Sequence, residues 1–224
     1  MRVAIIGCSF SHLEFAQENW AYKLPKLYPS LDFYNYSMGG MGSLYQDMCL
    51  KHALYVDFFD YIIVQCTYGL RWHVPETVEF VKGEIDVIPS LAFTKQQVEA
   101  NLYHMVLTEK VTKLVTLAKA GPQKDTQFLK KPIRTSYHWL FVKQLEALSK
   151  HHAISYFSFP DLEFTKNNIG QKYDVWSWFD NNYSAIDIDN MMDDTNHLNE
   201  HGNDVLLHEY ILKSKVKENL TYLC

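Results

Sequence analysis

Val3-Ala4-Ile5-Ile6 is an unbroken apolar run at the start of the chain. Its lack of polar alternation predicts a strand buried on both faces, as in parallel sheets. Leu13 to Leu27 carries apolar residues at helical spacing and is predicted to stop near Pro25. A short strand over Asp32 to Tyr36 runs into the glycine cluster Gly39, Gly40 and Gly42, and Ser43 then stands where a cap would open a helix to about Val56. Tyr61 to Cys66 (YIIVQC) is the strongest strand signal in the sequence. Strand, helix, strand, helix, strand in this order predicts βαβ units and a parallel sheet.

Further along, a long amphipathic helix is predicted from Ser90 or Thr94 to Ala120, closed by Gly121-Pro122. Residues 122–135 are polar and Lys-rich and read as a loop, Tyr137 to His151 as a helix and Ala153 to Phe157 as a strand. Residues 160–196 are rich in Asp, Asn, Trp and Tyr without clear periodicity, which predicts a long ordered loop of the kind that often carries function. Glu200 to Glu218 closes the pattern as a helix. No internal repeat or linker interrupts it, so residues 1–224 read as one domain.

Composition narrows the function classes. Apolar residues make up 47% of the chain and aromatic residues 15%, enough for a full core and against disorder. The net charge is −5 and the basic residues form no long run, Lys130-Lys131 with Arg134 being the nearest to one, so nothing favours a nucleic-acid partner. Cys8, Cys49, Cys66 and Cys224 show neither CxxC spacing nor a disulfide framework, which suits a reducing compartment. The N-terminal apolar run is too short for a signal peptide, and no stretch reaches transmembrane length. A soluble cytoplasmic protein with no membrane partner is expected.

Two stretches carry candidate chemistry. Gly7-Cys8-Ser9-Phe10-Ser11 follows the first strand, at the sheet edge where α/β proteins bind ligands. Glycine permits a sharp turn there, and a following helix N-terminus would offer free N–H groups to a developing oxyanion. The stretch is either a turn with Ser9 or Ser11 as a helix cap, or a turn presenting a nucleophile, Ser9 or Cys8. No GxxxxGK[ST], GxGxxG or GxSxG pattern is present, the last failing because Ser11 stands where glycine is required. In the second stretch, Asp194-Thr195-Asn196-His197, a D-x-x-H spacing can aim a carboxylate and an imidazole at one pocket, or Asp194 can simply cap a turn. His197, His201 and His208 share this segment, but no second ligand group stands at zinc-site spacing.

Together, Gly7-Cys8-Ser9 after the first strand and Asp194-x-x-His197 near the C-terminus resemble the SGNH (GDSL-type) hydrolases. The G-C-S-F-S opening is similar to a divergent branch with phage and bacterial intracellular members. The resemblance implies a three-layer α/β/α sandwich with a flavodoxin-like parallel sheet. It also implies Ser9 as nucleophile, His197 as general base and Asp194 as the carboxylate that orients it. "NYSMGGMGS" (residues 35–43) is the counterpart of the block that supplies an oxyanion N–H, with Gly40 the best match. The third block departs: "QCTYGLRW" (residues 65–72) has no asparagine in the expected place, and Thr67 or Arg71 takes over its role in the oxyanion hole or in substrate binding.

The activity these residues imply is hydrolysis of an O-acyl or O-acetyl ester on a small-molecule or carbohydrate-like substrate, without metal or organic cofactor. Trp72, Trp176, Trp178, Tyr173 and Tyr183 are candidates for a wall that stacks against a sugar, or for ordinary packing. The competing reading is a non-catalytic SGNH-like or flavodoxin-like binding protein.

Overall fold

Residues 1–12, 19–37, 42–66, 131–159, 167–194 and 197–224 are described by the structure, a computed structural model. The predicted helix from Ser90 or Thr94 to Ala120 lies outside them. Alternation within the strands divides the core in two. From β1 (Arg2–Ile6), Val3 and Ile5 enter one apolar cluster while Ala4 and Ile6 enter another. In β3 (Tyr61–Cys66), Tyr61 and Ile63 join the first cluster, and Ile62, Val64 and Cys66 the second. Both faces are therefore buried, which is why Val3 to Ile6 and Tyr61 to Val64 read as continuous apolar runs.

β2 (Asp32–Asn35) and β4 (Ile154–Ser158) complete a four-stranded sheet in the order β2-β1-β3-β4. Every pairing is parallel, with Ile5 opposite Asn35 and Ile63, and Val64 opposite Tyr156. α1 (Trp20–Leu27) buries Trp20, Ala21 and Leu24 on the first face, joined there by the C-terminal helices. α2 (Ser43–Tyr55) and α3 (Lys131–Leu148) cover the second face through Cys49, Leu50, Ala53, Phe141 and Leu145. The result is the expected three-layer α/β/α sandwich around a parallel sheet. No helix among the described residues is long and apolar enough to cross a membrane.

Several boundaries differ from the sequence pattern, each for a local reason. α1 starts at Trp20 because Asn19 is extended and its side chain caps the Tyr22 N–H at 3.1 Å, and it runs past Pro25 to Leu27. Among the described residues α3 is already helical at Lys131, ahead of Tyr137. The segment read as loop contains two short helices, α4 (Val175–Asn182) and α5 (Ala185–Asn190). Asp174 caps the first, and Ser184 with Asp187 forms a capping box on the second. The closing helix is split into α6 (Glu200–Val205), a π-helical turn Leu206–Ile211 and α7 (Lys215–Leu223), which Ser214 caps.

Candidate active site

The strand order fixes where a ligand can sit. β1 feeds α1 on one face, whereas α2 and α3, which flank β3 in sequence, pack on the other. The C-terminal ends of β1 and β3 therefore border the crevice of an open parallel sheet. The Gly7–Ser11 stretch leaves β1 at this point. It folds as a 3₁₀ turn, Ser9–Ser11, closed by the Ser11 N–H to the Cys8 carbonyl at 2.9 Å. Glycine at 7 is needed for close approach: a Cβ there would lie 2.6 Å from Ser11 Oγ and 2.9 Å from Ser37 Oγ.

Within the turn the side chains part. Cys8 is fully buried, and its thiol donates to Gln65 Oε1 at 3.4 Å. Ser11 is also fully buried and donates to the same oxygen at 3.0 Å, while its carbonyl accepts from Asn35 Nδ2 at 2.7 Å. Ser9 is only 5% exposed, and its Oγ has no hydrogen-bond partner among the described residues. It is not a helix cap, since His12 after the turn is extended. A buried hydroxyl without a partner is unfavourable by roughly 1–3 kcal/mol unless something completes it.

The D-x-x-H segment is a pinned hairpin. Met192 and Leu198 form an antiparallel bridge, and the Asp193 N–H donates to the His197 carbonyl at 2.8 Å. Asp193 Oδ1 accepts the His197 N–H at 3.0 Å, so Asp193 clamps the main chain of the histidine. Asp194 is exposed, and its carboxylate accepts no hydrogen bond among the described residues. Asn199 Nδ2 holds the Asn190 and Met192 carbonyls at 2.8 and 3.2 Å. Asn203, buried on α6, donates to the Leu198 carbonyl at 2.7 Å and accepts the Trp20 N–H at 3.2 Å, linking hairpin to α1.

These two pieces, from opposite ends of the chain, are brought together through a ring contact. The Phe10 ring, next to Ser9, lies 5.0 Å from the half-buried His197 ring at a tilt of 46°. Phe10 also stacks on Phe159 at 4.2 Å, and Trp176 of α4 packs edge-on against both at 5.7 and 5.5 Å. Trp178 faces elsewhere, against Tyr183 and Tyr210. Of the aromatic wall read from the sequence, Trp176 is brought to the Ser9 turn, and Trp72 lies outside the described residues.

Gly40, Thr67 and Arg71 likewise lie outside the described residues. Ser43 does not cap α2. Gly42 is the N-cap, and Ser43 Oγ instead lies 2.5 Å from Nδ1 of His138 on α3. Burial pushes the His138 imidazole down to about 4, so it is neutral at pH 7, and its Nε2 has no hydrogen-bond partner among the described residues. A base that weak, with no carboxylate behind it among the described residues, makes this pair a tie between two helices rather than a nucleophile with its base. Burial raises the Cys49 and Cys66 thiols to about 12, which keeps both protonated. No three His, Cys, Asp or Glu side chains among the described residues form a metal-binding group; His201 and His208 are exposed on the C-terminal helices.

Four residues of this framework escaped the sequence reading: Gln65, Asp193, Asn203 and His138. Gln65 had a signal, since a polar residue inside YIIVQC must find partners where the strand is buried. Asp193 stands next to the D-x-x-H pair without belonging to its spacing. Asn203 and His138 sit in helical patterns where polar residues usually face solvent.

No family model and no curated protein matches the chain. Solved structures to which it is similar include the psychrotrophic esterase EstA from Pseudoalteromonas sp., inhibited by monoethylphosphonate, at 15% identity over 98% of each chain with a TM-score of 0.43. TesA is 13% identical over 100% of each chain, with a TM-score of 0.42. A catalytic mutant of Axe2, an acetylxylan esterase from Geobacillus stearothermophilus, is 13% identical over 98% of this chain and 93% of that one, with a TM-score of 0.35.

Proposed function

We propose that the protein is an SGNH-type serine hydrolase that cleaves O-acyl or O-acetyl esters through Ser9, His197 and Asp194. The observation that carries this reading is the Phe10–His197 contact beside a buried Ser9 hydroxyl that has no partner among the described residues. Ser9 Oγ attacks the ester carbonyl carbon while the imidazole takes its proton. The Ser9 and Gly40 N–H groups hold the oxyanion, with Thr67 or Arg71 in place of the missing asparagine. Collapse of the tetrahedral intermediate expels the alcohol, which takes the proton from the imidazolium and leaves an acyl-serine. Water, deprotonated by the same imidazole, then releases the acid and restores Ser9.

Asp194 is the carboxylate that fixes the imidazole tautomer; for this it turns inward from its exposed position, while Asp193 keeps the His197 backbone in place. Trp176 offers an aromatic edge to the acyl or sugar portion of a small or carbohydrate-like ester. Labelling with a fluorophosphonate tests the mechanism: wild type and Cys8→Ala take the label, and Ser9→Ala does not. Label that survives Ser9→Ala overturns Ser9 as nucleophile. A non-catalytic binding protein is the second reading, favoured by the exposed Asp194 carboxylate, which accepts no hydrogen bond among the described residues. A folded wild type that takes no label selects it.

A further inference from the structure

Gln65 is fully buried at the C-terminal end of β3, across the crevice from the Ser9 turn. Its single Oε1 accepts three hydrogen bonds from that turn: the Cys8 N–H at 3.1 Å, the Cys8 thiol at 3.4 Å and the Ser11 hydroxyl at 3.0 Å. Its Nε2 donates to the Cys66 carbonyl at 2.9 Å. The amide cannot be reversed, because a flip would aim two N–H donors at the Cys8 N–H. The same strand end is held from the other face, where Gln46 of α2, also fully buried, donates from Nε2 to the Gln65 carbonyl at 2.7 Å.

We propose that Gln65 is the positioning residue of the nucleophile turn: by gathering donors from both sides of Ser9 onto one fixed oxygen, it sets where the Ser9 hydroxyl and N–H point. Cys8 and Ser11 flank Ser9, so anchoring both leaves the intervening residue little freedom. The bonds span the gap between β1 and β3, the place where the crevice itself would otherwise loosen the turn. The inference rests on the ester-hydrolase reading. It adds a residue from the third block that touches no substrate yet governs the first block's geometry.

The test uses the full chain, p-nitrophenyl acetate turnover and the rate of fluorophosphonate labelling. Gln65→Met removes the acceptor and is expected to lower kcat by about 100-fold, the scale of a misplacement near 1 Å, with KM within about threefold. Gln65→Glu keeps an acceptor for all three donors and is expected to recover most of that loss. Gln46→Met breaks the bond on the other face of the same strand and is the structural control. It lowers the denaturation midpoint and leaves kcat within about threefold. Ser11→Ala removes one of the three donors with little change in volume, and lowers kcat by about tenfold even if Gln65→Met does not fold. Wild-type rates in folded Gln65→Met overturn the proposal, as does an equal kcat loss in Gln46→Met, or an unchanged Ser11→Ala should Gln65→Met fail to fold. A folded wild type that neither turns over ester nor takes the label overturns the hydrolase reading, and this proposal with it. That outcome is distinct from a labelled wild type whose variants react equally fast.

Discussion

Gly202→Ala should destabilise the fold, although alanine is the better helix former. Gly202 lies in the first turn of α6, where its N–H meets the Asn199 cap at 3.0 Å. A Cβ at this position would stand 2.4 Å from the Met191 carbonyl oxygen and 3.0 Å from both Met191 Cβ and Leu198 Cδ2. The oxygen is backbone and already accepts the Asn199 N–H at 2.9 Å, so it cannot retreat without pulling the hairpin apart. Overpacking of this kind costs roughly 1–3 kcal/mol, and a weakened hydrogen bond adds about 1 kcal/mol. Helix propensity returns about 1 kcal/mol in favour of alanine. The net expectation is a loss of about 2 kcal/mol, or roughly 4–8 °C in Tm for a chain of this size. Urea unfolding followed by far-UV circular dichroism reads it directly. Because the hairpin carries Asp194 and His197, ester turnover falls by more than the folded fraction does. A Gly202→Ala protein as stable as wild type would refute the packing argument.

Three further outcomes are expected. The folded state holds His138 near a pKa of about 4 against 6.5 for a free imidazole, so between these values the unfolded chain binds the extra proton. Stability is then level above pH 6.5 and falls as the pH drops towards 4, by about 3 kcal/mol from this group. His138→Gln should flatten that slope in pH-dependent urea titrations, and parallel slopes for the two proteins would contradict it. Asp194→Asn should lower kcat by about 10²–10⁴ with the Tm unchanged, whereas Asp193→Asn should lower the Tm by loosening the hairpin; the reverse pattern would make Asp193 the orienting carboxylate. Trp176→Ala should raise KM for aryl and sugar esters more than for ethyl acetate in a substrate panel, and equal effects would remove Trp176 from the substrate wall.

The parallel sheet was legible because its strands are buried on both faces and so carry unbroken apolar runs, Val3 to Ile6 and Tyr61 to Val64. The crevice followed from strand order, and Gly7-Cys8-Ser9 could be placed at its edge from sequence. Less legible were α4 and α5, too short to build a helical period; only Asp174 and the Ser184-x-x-Asp187 box mark where they start. The split after Val205 was hidden for the opposite reason: Leu206, Leu207, Tyr210 and Ile211 keep a helix-like apolar spacing through a π-helical turn. Ser43 misled because serine after a glycine cluster is an ordinary cap, and its partner His138 comes from a distant helix. Long-range polar pairs of this kind leave no periodic trace in a sequence.

The division of labour between Cys8 and Ser9 follows from the same long-range pairs. Cys8 continues β1 into the core, and its N–H and thiol both end on Gln65. That thiol donates to Gln65 Oε1 at 3.4 Å from a fully buried position and is committed to the bond. Ser9 begins the 3₁₀ turn and so leaves that alignment, and its hydroxyl finds no partner among the described residues. Two adjacent residues of similar size thus receive opposite environments from one buried amide. The cysteine is taken up in holding the turn, and under the proposed mechanism the hydroxyl beside it is the group that meets the ester carbonyl.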